Sequence, residues 1–500
     1  MTGTNDSGGN NASVVNTTVE GGALARSIDW KQGMIIAMGV PILILPSIYD
    51  LSGTLWAFSA ILWGLSVLQG FAQNFAIGEM ASAFGETGIG GCAQKVFKRE
   101  NPKGKYDLGK FLGAFCAWSY WFTWTPVIPI FTIMTGTYLQ EFIPVLSGLN
   151  PIMLNLIIGL MIYGMIITVG SKGLNGGARL GLILALVTII PLLVVVIIPF
   201  FTGDFSLTRF TEQLFPPEWN WGTMDIVMLF GCFAIAQWSA CAWESTATYG
   251  SEYKNPGKDL PKAMISAGLI CLLVYVVVAV SVFGTLGVEG IEEAGYATLV
   301  PIAIDDFGQI GSAIALFLLV AGMIMLIQTA FLGSSRTLYR MGREGNMPKF
   351  FSRSNANGAP IYAMGFQFVV GMCMIPLGSP EMILAASSFG FCIALGMAMA
   401  AFIVARTSPR FKDLPRPYHA PRGWLGVAII LMCYQFFVLI PCLAVWSASV
   451  FGWTSVILGA CILAAYIPLW ILLQRHNAKE GNHAAVMDMS EDDSKEVGSS

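Results

Sequence analysis

The segment that decides the fold runs from residue 33 to residue 46 and reads GMIIAMGVPILILP, with Gly39 and Pro41 at its centre. It is apolar enough to lie in a bilayer. However, Pro41 cannot donate a backbone hydrogen bond, and its ring clashes with the carbonyl four residues earlier. Gly39 weakens a helix at the same place. The pattern predicts either a proline kink or a true break in a membrane-spanning helix, and the segment alone favours neither.

A second segment with the same character lies at residues 236–246 and reads AQWSACAWEST. Small and polar residues cluster there, where a lipid-facing helix would be rich in leucine. Glu244 is the only ionisable residue predicted well inside a span, and such a group marks a functional site by default. The alternative is a structural carboxylate that is hydrogen-bonded to neighbouring helix ends.

The composition around these segments indicates a polytopic membrane protein. Of the 500 residues, 55% are hydrophobic and only 11% are charged, against about 25% charged in a typical soluble domain. This excludes a soluble enzyme, a disordered chain and a nucleic-acid-binding protein. Twelve apolar stretches are each long enough to cross about 30 Å of hydrocarbon as a helix: 32–49, 54–78, 111–139, 151–169, 179–201, 223–249, 261–285, 309–333, 361–378, 382–405, 425–447 and 453–473.

The basic residues orient the twelve predicted spans. All but one of the 27 lysines and arginines fall in alternate loops and in the two tails, and Arg209 alone lies on the other side. Because loops rich in Lys and Arg stay in the cytoplasm, we expect a multi-pass protein of the cell (inner) membrane with both termini cytoplasmic.

The two interrupted segments lie in spans one and six, which are five spans apart. A five-plus-five inverted repeat would bring them together at the midplane, with a substrate between them. The predicted organisation is therefore a disordered cytoplasmic tail (1–28), repeat one with helices 1–5 (29–205), repeat two with helices 6–10 (206–405), helices 11–12 (406–473) and an acidic cytoplasmic tail (474–500).

Five motifs in this order resemble those of the amino acid–polyamine–organocation permeases. Residues 38–46 resemble that family's first-helix motif, and Glu79 with Gly85, Gly88, Gly90 and Gly91 resembles the segment after helix two. The remaining three motifs are Trp243-Glu244-Ser245 through Glu252, Lys254-Asn255-Pro256 and Pro261; Ser335-Arg336 through Tyr339, Arg343, Gly345, Pro348 and Pro360; and Arg416-Pro417-Tyr418 with Pro421.

The resemblance implies an all-α, leucine-transporter-type fold that moves a small amino acid or a related amine by alternating access. In that family, helix termini hold the substrate's carboxylate and ammonium groups, which suits the dipoles of the two ends. Carried over by position, the first-helix cradle is Gly39, Val40 and Pro41, and the sixth-helix partners are Trp238, Cys241 and Ala242. Trp238 would cap the substrate, and Phe131 is the matching position in helix three.

Three departures from the family pattern bear on the substrate. Pro41 stands where a second glycine is usual, so one N–H donor is missing from the carboxylate cradle. Ala240 and Ala242 replace glycine at the second interruption, and Leu43 replaces phenylalanine. Our hypothesis is that carboxylate recognition is weakened or rearranged, which would favour an amine, a decarboxylated product or an unusual amino acid.

The coupling mechanism is open at this stage, between a proton-coupled symporter and an exchanger. Glu244 is the leading proton-responsive group. Ser334 and Ser335 could offer hydroxyls to Na⁺ or could serve only the helix end. We expect no cofactor and no bound metal, because no His/Cys/carboxylate cluster has ligand spacing.

Rival classes of function have less support from the sequence. We expect no enzyme, because no catalytic constellation lies inside the spans. A channel or a nutrient sensor is a less favoured alternative. The chain could be a monomer or a homodimer.

Overall fold

The computed structural model describes residues 26–84, 88–99, 106–295, 297–378 and 380–479. Most of both predicted tails (residues 1–25 and 480–500) and Gly85 of the glycine motif lie outside these ranges. Within them the chain is helical, and the only β-type backbone pairing is an isolated bridge between Ile28 and Tyr253. The predicted all-α class is confirmed for the described residues.

The first half of the described chain contains ten α-helices and begins with an interrupted one. A run of 3₁₀ helix, Ala37–Ser47, joins the first two helices. The α-helices are α1 (Trp30–Ile36), α2 (Ile48–Leu55), α3 (Phe58–Phe84), α4 (Gly88–Phe97), α5 (Leu108–Trp124), α6 (Val127–Phe142), α7 (Pro151–Gly170), α8 (Leu174–Ile197), α9 (Pro199–Thr202) and α10 (Thr208–Glu212).

The second half of the described chain also begins with an interrupted helix. Here 3₁₀ helix over Ala242–Glu252 follows α11 (Thr223–Ala240). The other helices are α12 (Pro256–Ala294), α13 (Leu299–Phe307), α14 (Gln309–Arg343), α15 (Ile361–Met374), α16 (Pro380–Thr407), α17 (Trp424–Tyr434), α18 (Ile440–Phe451) and α19 (Trp453–Lys479), and a π-helical segment, Gln435–Leu439, links α17 to α18.

Helix length and composition support a multi-pass membrane protein. Nine helical stretches in the described ranges are long and apolar enough to cross a membrane. The number is ten if Trp30–Leu45 and Ile48–Leu55, which are bent by 43°, form one span. Large apolar side chains such as Met161, Ile430 and Phe437 are 69%, 70% and 75% exposed. Exposed apolar surface of this kind is typical of contact with lipid.

The helices pack around a shared buried core. α3 lies along α12, α14 lies along α6 and α8, and α16 lies along α5. Several helices are longer than predicted. α3 continues to Phe84 and α14 to Arg343, so charged residues near their ends are packed inside the bundle.

Arg209 caps α12 at the point where that helix is interrupted. The backbone of Gly287 is in the left-handed region, with φ of 66°, and interrupts α12 there. The Arg209 guanidinium donates to the backbone oxygens of Gly284, at 2.6 Å, and of Thr285. A cation near the carbonyl end of a helix satisfies free acceptors and the helix dipole. The one basic residue predicted on the outer side therefore caps a helix.

Candidate substrate site

The structure brings the two interrupted segments into contact. Residues 37–47 and 242–252 touch each other, and both touch α14. Ser47, at the end of the first segment, and Ser239, just before the second, have hydroxyl oxygens 3.4 Å apart. Runs of 3₁₀ helix this long are uncommon and often mark strain or function. The arrangement is the juxtaposition that the repeat hypothesis requires.

Gly39 is needed for close approach as well as for conformation. A Cβ placed on Gly39 would lie 2.5 Å from Thr329 Oγ1 and 3.0 Å from the Met325 carbonyl oxygen, both on α14. Thr329 Oγ1 also donates to the Ile36 carbonyl at 3.0 Å, where α1 ends. Thus α14 supports the first interruption and satisfies one of its free acceptors.

The other residues predicted for the first-helix cradle are also enclosed. Val40 and Pro41 are buried, and the Tyr275 hydroxyl of α12 donates to the Val40 carbonyl at 3.1 Å. This carbonyl therefore already has a protein partner. An opening movement must precede any contact between this segment and a solute.

The end of α11, directly before the second segment, has a buried donor with no partner among the described residues. Trp238 is 2% exposed, and its indole N–H has no hydrogen-bond acceptor among the described residues. Cys241 is anchored, because its thiol donates to the Ser66 carbonyl of α3 at 3.2 Å. Ala242 is 3% exposed. A buried donor without an acceptor is costly, so Trp238 is a natural contact for a ligand.

Glu244 lies on the second segment, where it is buried against α5. Its Oε1 accepts a hydrogen bond from the Tyr120 hydroxyl at 2.9 Å, and that hydroxyl is 3.3 Å from Thr248 Oγ1. The second oxygen, Oε2, is buried without a hydrogen-bond partner among the described residues. An incompletely satisfied carboxyl at membrane depth indicates function more than structure.

A narrow cavity approaches this carboxyl from the side of α4. Its volume is about 10 Å³, which is about the least space that holds one water molecule. The lining residues come from α4, α5, α14 and the second segment: Gly88, Ile89, Gly90, Gly91, Ala117, Tyr120, Thr248, Thr337 and Arg340. The three described glycines of the motif predicted after helix two therefore lie beside Tyr120, the hydrogen-bond partner of Glu244.

Phe131 lies on α6 and is fully buried. α6 packs along α14, and one turn after Phe131 the Thr135 hydroxyl is 3.4 Å from the Met323 sulfur of that helix. Ser334 and Ser335 each donate to a carbonyl of their own helix, Ala330 and Leu332 respectively. Because α14 continues to Arg343, both serines lie inside the helix and not at its end, which corrects the helix-end alternative.

Glu244 is not the only charged residue packed inside the bundle, which corrects the expectation from the sequence. Glu252 and Arg336 are 2% and 1% exposed and form a bidentate ion pair. Glu79 is 2% exposed and pairs with Arg406 and Arg416. Glu79, Glu252 and Arg336 lie in helical stretches that continue beyond the ends of the predicted spans.

The Glu252–Arg336 pair closes one end of the site. The Glu252 carbonyl accepts from the N–H groups of Ser27 and Ile28 at 2.9 and 3.1 Å. The Arg336 guanidinium also lies over the Tyr249 ring, 5.4 Å from its centroid. The chain before α1, the end of the second segment and α14 are therefore held together.

Sequence reasoning missed four side chains that complete the site: Tyr120, Tyr275, Thr329 and Ser239. Each is a polar residue in an otherwise apolar helix, and each is buried or has its polar atom in a buried hydrogen bond. Buried polar residues inside predicted spans were the available signal. Their partners lie 124 to 293 positions away along the chain, so periodicity could not pair them.

A chain that is helical over its described residues, with a buried polar site between two interrupted helices, has the arrangement found in membrane transporters with broken helices. Comparison with known proteins specifies the family. The amino acid permease family matches residues 28–467, and the chain belongs to that family. The resemblance to the amino acid–polyamine–organocation superfamily is thereby confirmed.

The relatives transport different classes of solute. A polyamine transporter of Oryza sativa subsp. japonica is 24% identical over 336 residues, which cover 65% of this chain and 58% of that protein. A D-serine/D-alanine/glycine transporter of Escherichia coli K12 is 21% identical over 67% of this chain and 71% of its own length. A serine/threonine exchanger of Bacillus subtilis is 23% identical over 66% and 73%.

Proposed function

We propose that this permease moves a small amino acid or a related amine across the cell membrane by alternating access, as a proton-coupled symporter or an exchanger. The observation that carries the proposal is the contact between the two interrupted segments, beside which the Trp238 N–H and Glu244 Oε2 have no hydrogen-bond partner among the described residues. A small solute that bears a donor and an acceptor would satisfy both atoms. Gly39, Val40, Pro41, Phe131, Trp238, Cys241 and Ala242 form its proposed site.

We also propose that the chain crosses the membrane twelve times. The two spans beyond the ten counted by length would be α5 with α6 (108–142) and the shorter apolar helix Ile361–Leu377. The span of α5 and α6 is divided near Pro126 and Pro129. The span Ile361–Leu377 ends in a short 3₁₀ helix. Spans one to five and six to ten would form the inverted repeat, with both termini cytoplasmic.

A second candidate is an antiporter specific for amines or polyamines. Pro41 removes an N–H from the place where a carboxylate would bind, and the Cys241 thiol already donates to the Ser66 carbonyl, so it offers no donor to a carboxylate. A carboxyl at Glu244 and the faces of Trp238 and Phe131 suit an ammonium group. The rice relative is a polyamine transporter.

A competition assay distinguishes the two candidates. Uptake of radiolabelled putrescine into proteoliposomes is measured against unlabelled ornithine, its amino acid precursor, and a second pair compares ethanolamine with serine. Weakened carboxylate recognition predicts that each amine competes better than its amino acid. Equal or better competition by the amino acids would overturn the amine preference and leave the amino acid permease proposal in place. Transport of no member of either pair would count against both.

A further inference from the structure

Four glutamine side chains meet beside the second interruption. They are Gln69 and Gln73 of α3, Gln237 of α11 and Gln435 at the start of the π-helical segment, and we name this set the amide cluster. Gln73, Gln237 and Gln435 are fully buried. Buried amides carry a high cost unless they are hydrogen-bonded, so a cluster of four requires a reason.

Gln237 is the centre of the amide cluster. Its Oε1 accepts from the Nε2 atoms of Gln69, of Gln73 at 2.9 Å and of Gln435 at 2.5 Å. Its Nε2 donates to Gln435 Oε1 at 3.1 Å and lies 3.6 Å from the Cys392 sulfur of α16. An amide oxygen has two lone pairs, so the two α3 donors compete for it. Gln435 is the partner bound to Gln237 at both ends.

A local change in helix geometry directs the Gln435 side chain into the bundle. The π-helical segment Gln435–Leu439 begins at this residue. A π turn widens the helix and changes the direction of the side chains that follow α17, and such turns are frequent at functional sites. The side chain of Gln435 thereby enters the bundle, whereas Phe437 two residues later is 75% exposed.

The amide cluster lies where it controls the orientation of the proposed site. Gln237 directly precedes Trp238, and the Gln237 carbonyl accepts the Cys241 N–H at 3.0 Å, which closes the last turn of α11. Beyond that turn the hydrogen-bonding pattern changes to 3₁₀. The direction of Trp238 and Cys241 therefore depends on how this last turn is held.

α18 holds α11 along its length as well. A Cβ on Gly231 would lie 2.4 Å from Trp446 Cβ, so the two helices touch where glycine leaves space. The helix that contains α17 and α18 lies outside the predicted five-plus-five core, yet it contacts the interrupted helix directly.

We propose that Gln435 is a positioning residue for transport: through its paired amide bonds to Gln237 it fixes the last turn of α11 and holds Trp238 and Cys241 in the orientation that binds substrate. This inference rests on the proposed function, in which substrate binds at the two interrupted segments. The structure thus assigns a transport role to a helix beyond the predicted repeat.

The test replaces the amide while keeping the side-chain volume. Gln435→Met is compared with Gln474→Met, which removes another buried glutamine, from α19, that bonds to Gly345 and Lys110 far from the site. Uptake of putrescine, L-serine and D-alanine is measured in proteoliposomes that contain equal amounts of folded protein. For whichever probe the unmodified protein transports, Gln435→Met should raise KM by roughly three- to tenfold, the range expected from hydrogen bonds within membranes. The maximal rate should stay within about twofold, and Gln474→Met should change neither.

The outcomes separate this inference from the proposed function. If the unmodified protein transports none of the probes, the proposed function fails. If it does transport one, an unchanged KM in Gln435→Met, or a rate that falls with no change in KM, overturns the positioning role. Should Gln435→Met not fold, Gln435→Asn keeps an amide at this position but is one methylene shorter, so it breaks the paired bonds to Gln237 without removing the polar group. The same KM criterion then decides.

Discussion

At the scale of single residues, Glu244 is the group on which the coupling hypothesis depends. We expect Glu244→Gln to retain substrate uptake, because the glutamine oxygen can still accept from Tyr120, which donates at 2.9 Å. Glutamine cannot gain or lose a proton over the physiological range. The dependence of uptake on pH should therefore flatten, as measured in vesicles with the external pH varied.

Tyr120→Phe is the matched control for Glu244→Gln. It removes the same hydrogen bond but leaves the carboxyl, so a pH-dependent profile should persist in this variant. If uptake by Glu244→Gln depends on pH as it does in the unmodified protein, Glu244 is not the group that couples transport to protons.

The residues of the site were only partly predictable. Pro41, Trp238 and Glu244 stand out in the sequence because a proline, an indole or a carboxyl is unusual within an apolar helix. The amide cluster was not predicted, since Gln237 and Gln435 are separated by 198 positions and no local pattern signals that they meet. The close contact of Thr329 with Gly39 was equally invisible, because Gly39 already had a local explanation in the helix break.

At the scale of helical elements, the Glu252–Arg336 pair joins the second interrupted segment to α14. Replacing Arg336 with methionine leaves the Glu252 carboxylate buried without its partner. We expect a loss of about 3–5 kcal/mol in the free energy of unfolding, the usual cost of an orphaned buried charge. Thermal unfolding in detergent would show this as a lower Tm.

Two comparisons make the Arg336 prediction specific. Arg336→Met/Glu252→Gln removes both charges and should recover much of the lost stability. Arg99→Met, which breaks an ion pair whose arginine side chain is 63% exposed, should change the unfolding free energy by less than about 1 kcal/mol. A double variant no more stable than Arg336→Met would contradict the ion-pair explanation.

For the two interrupted segments, the sequence predicted the position but not the backbone geometry. Proline, glycine and small residues identified both positions, but they could not decide between a kink and a break. The first segment is an 11-residue 3₁₀ run, and the bend of 43° lies at its end, between Leu45 and Ile48, and not at Gly39 and Pro41. Side chains from other helices, Thr329 and Tyr275, donate to backbone carbonyls at and beside this segment, those of Ile36 and Val40 respectively. The outcome depended on tertiary contacts and not on local preference.

At the scale of the whole molecule, charge is divided between the two ends. Almost all lysines and arginines lie in alternate loops, whereas the loops around Asp204, Asp305 and Asp306 carry acids. Burial, followed by repulsion from Asp204 and Asp305, raises the pKa of Asp306 to about 6. Because this folded-state pKa is above the unfolded one, Asp306 stabilises the fold when protonated.

This sign predicts how stability changes with pH. The contribution of Asp306 is complete below about pH 4 and is lost as the pH rises through about 6. Asp306→Asn should therefore melt at a higher temperature than the unmodified protein at pH 7.5, with the difference vanishing at pH 4. A Tm difference for Asp306→Asn that is constant with pH would contradict the prediction.

The membrane class followed from composition because so few charged residues cannot cover a soluble surface of 500 residues. Individual span limits were harder to predict. Glu79, Glu252 and Arg336 are charged, so a hydropathy argument ends a span before them, yet ion pairs keep them inside the bundle. Because their partners lie on other helices, the burial of these residues cannot be predicted from one segment at a time.

The π-helical turn at Gln435–Leu439 has a consequence for ancestry. In a π turn the backbone hydrogen bonds join residues five apart instead of four, so the turn contains one residue more than a regular α-helical turn. Homologues that lack the amide at Gln435 should therefore be one residue shorter between α17 and α18. Their alignments to this chain should open a gap at that point and nowhere else in the helix, so the insertion would date the recruitment of this helix within the lineage.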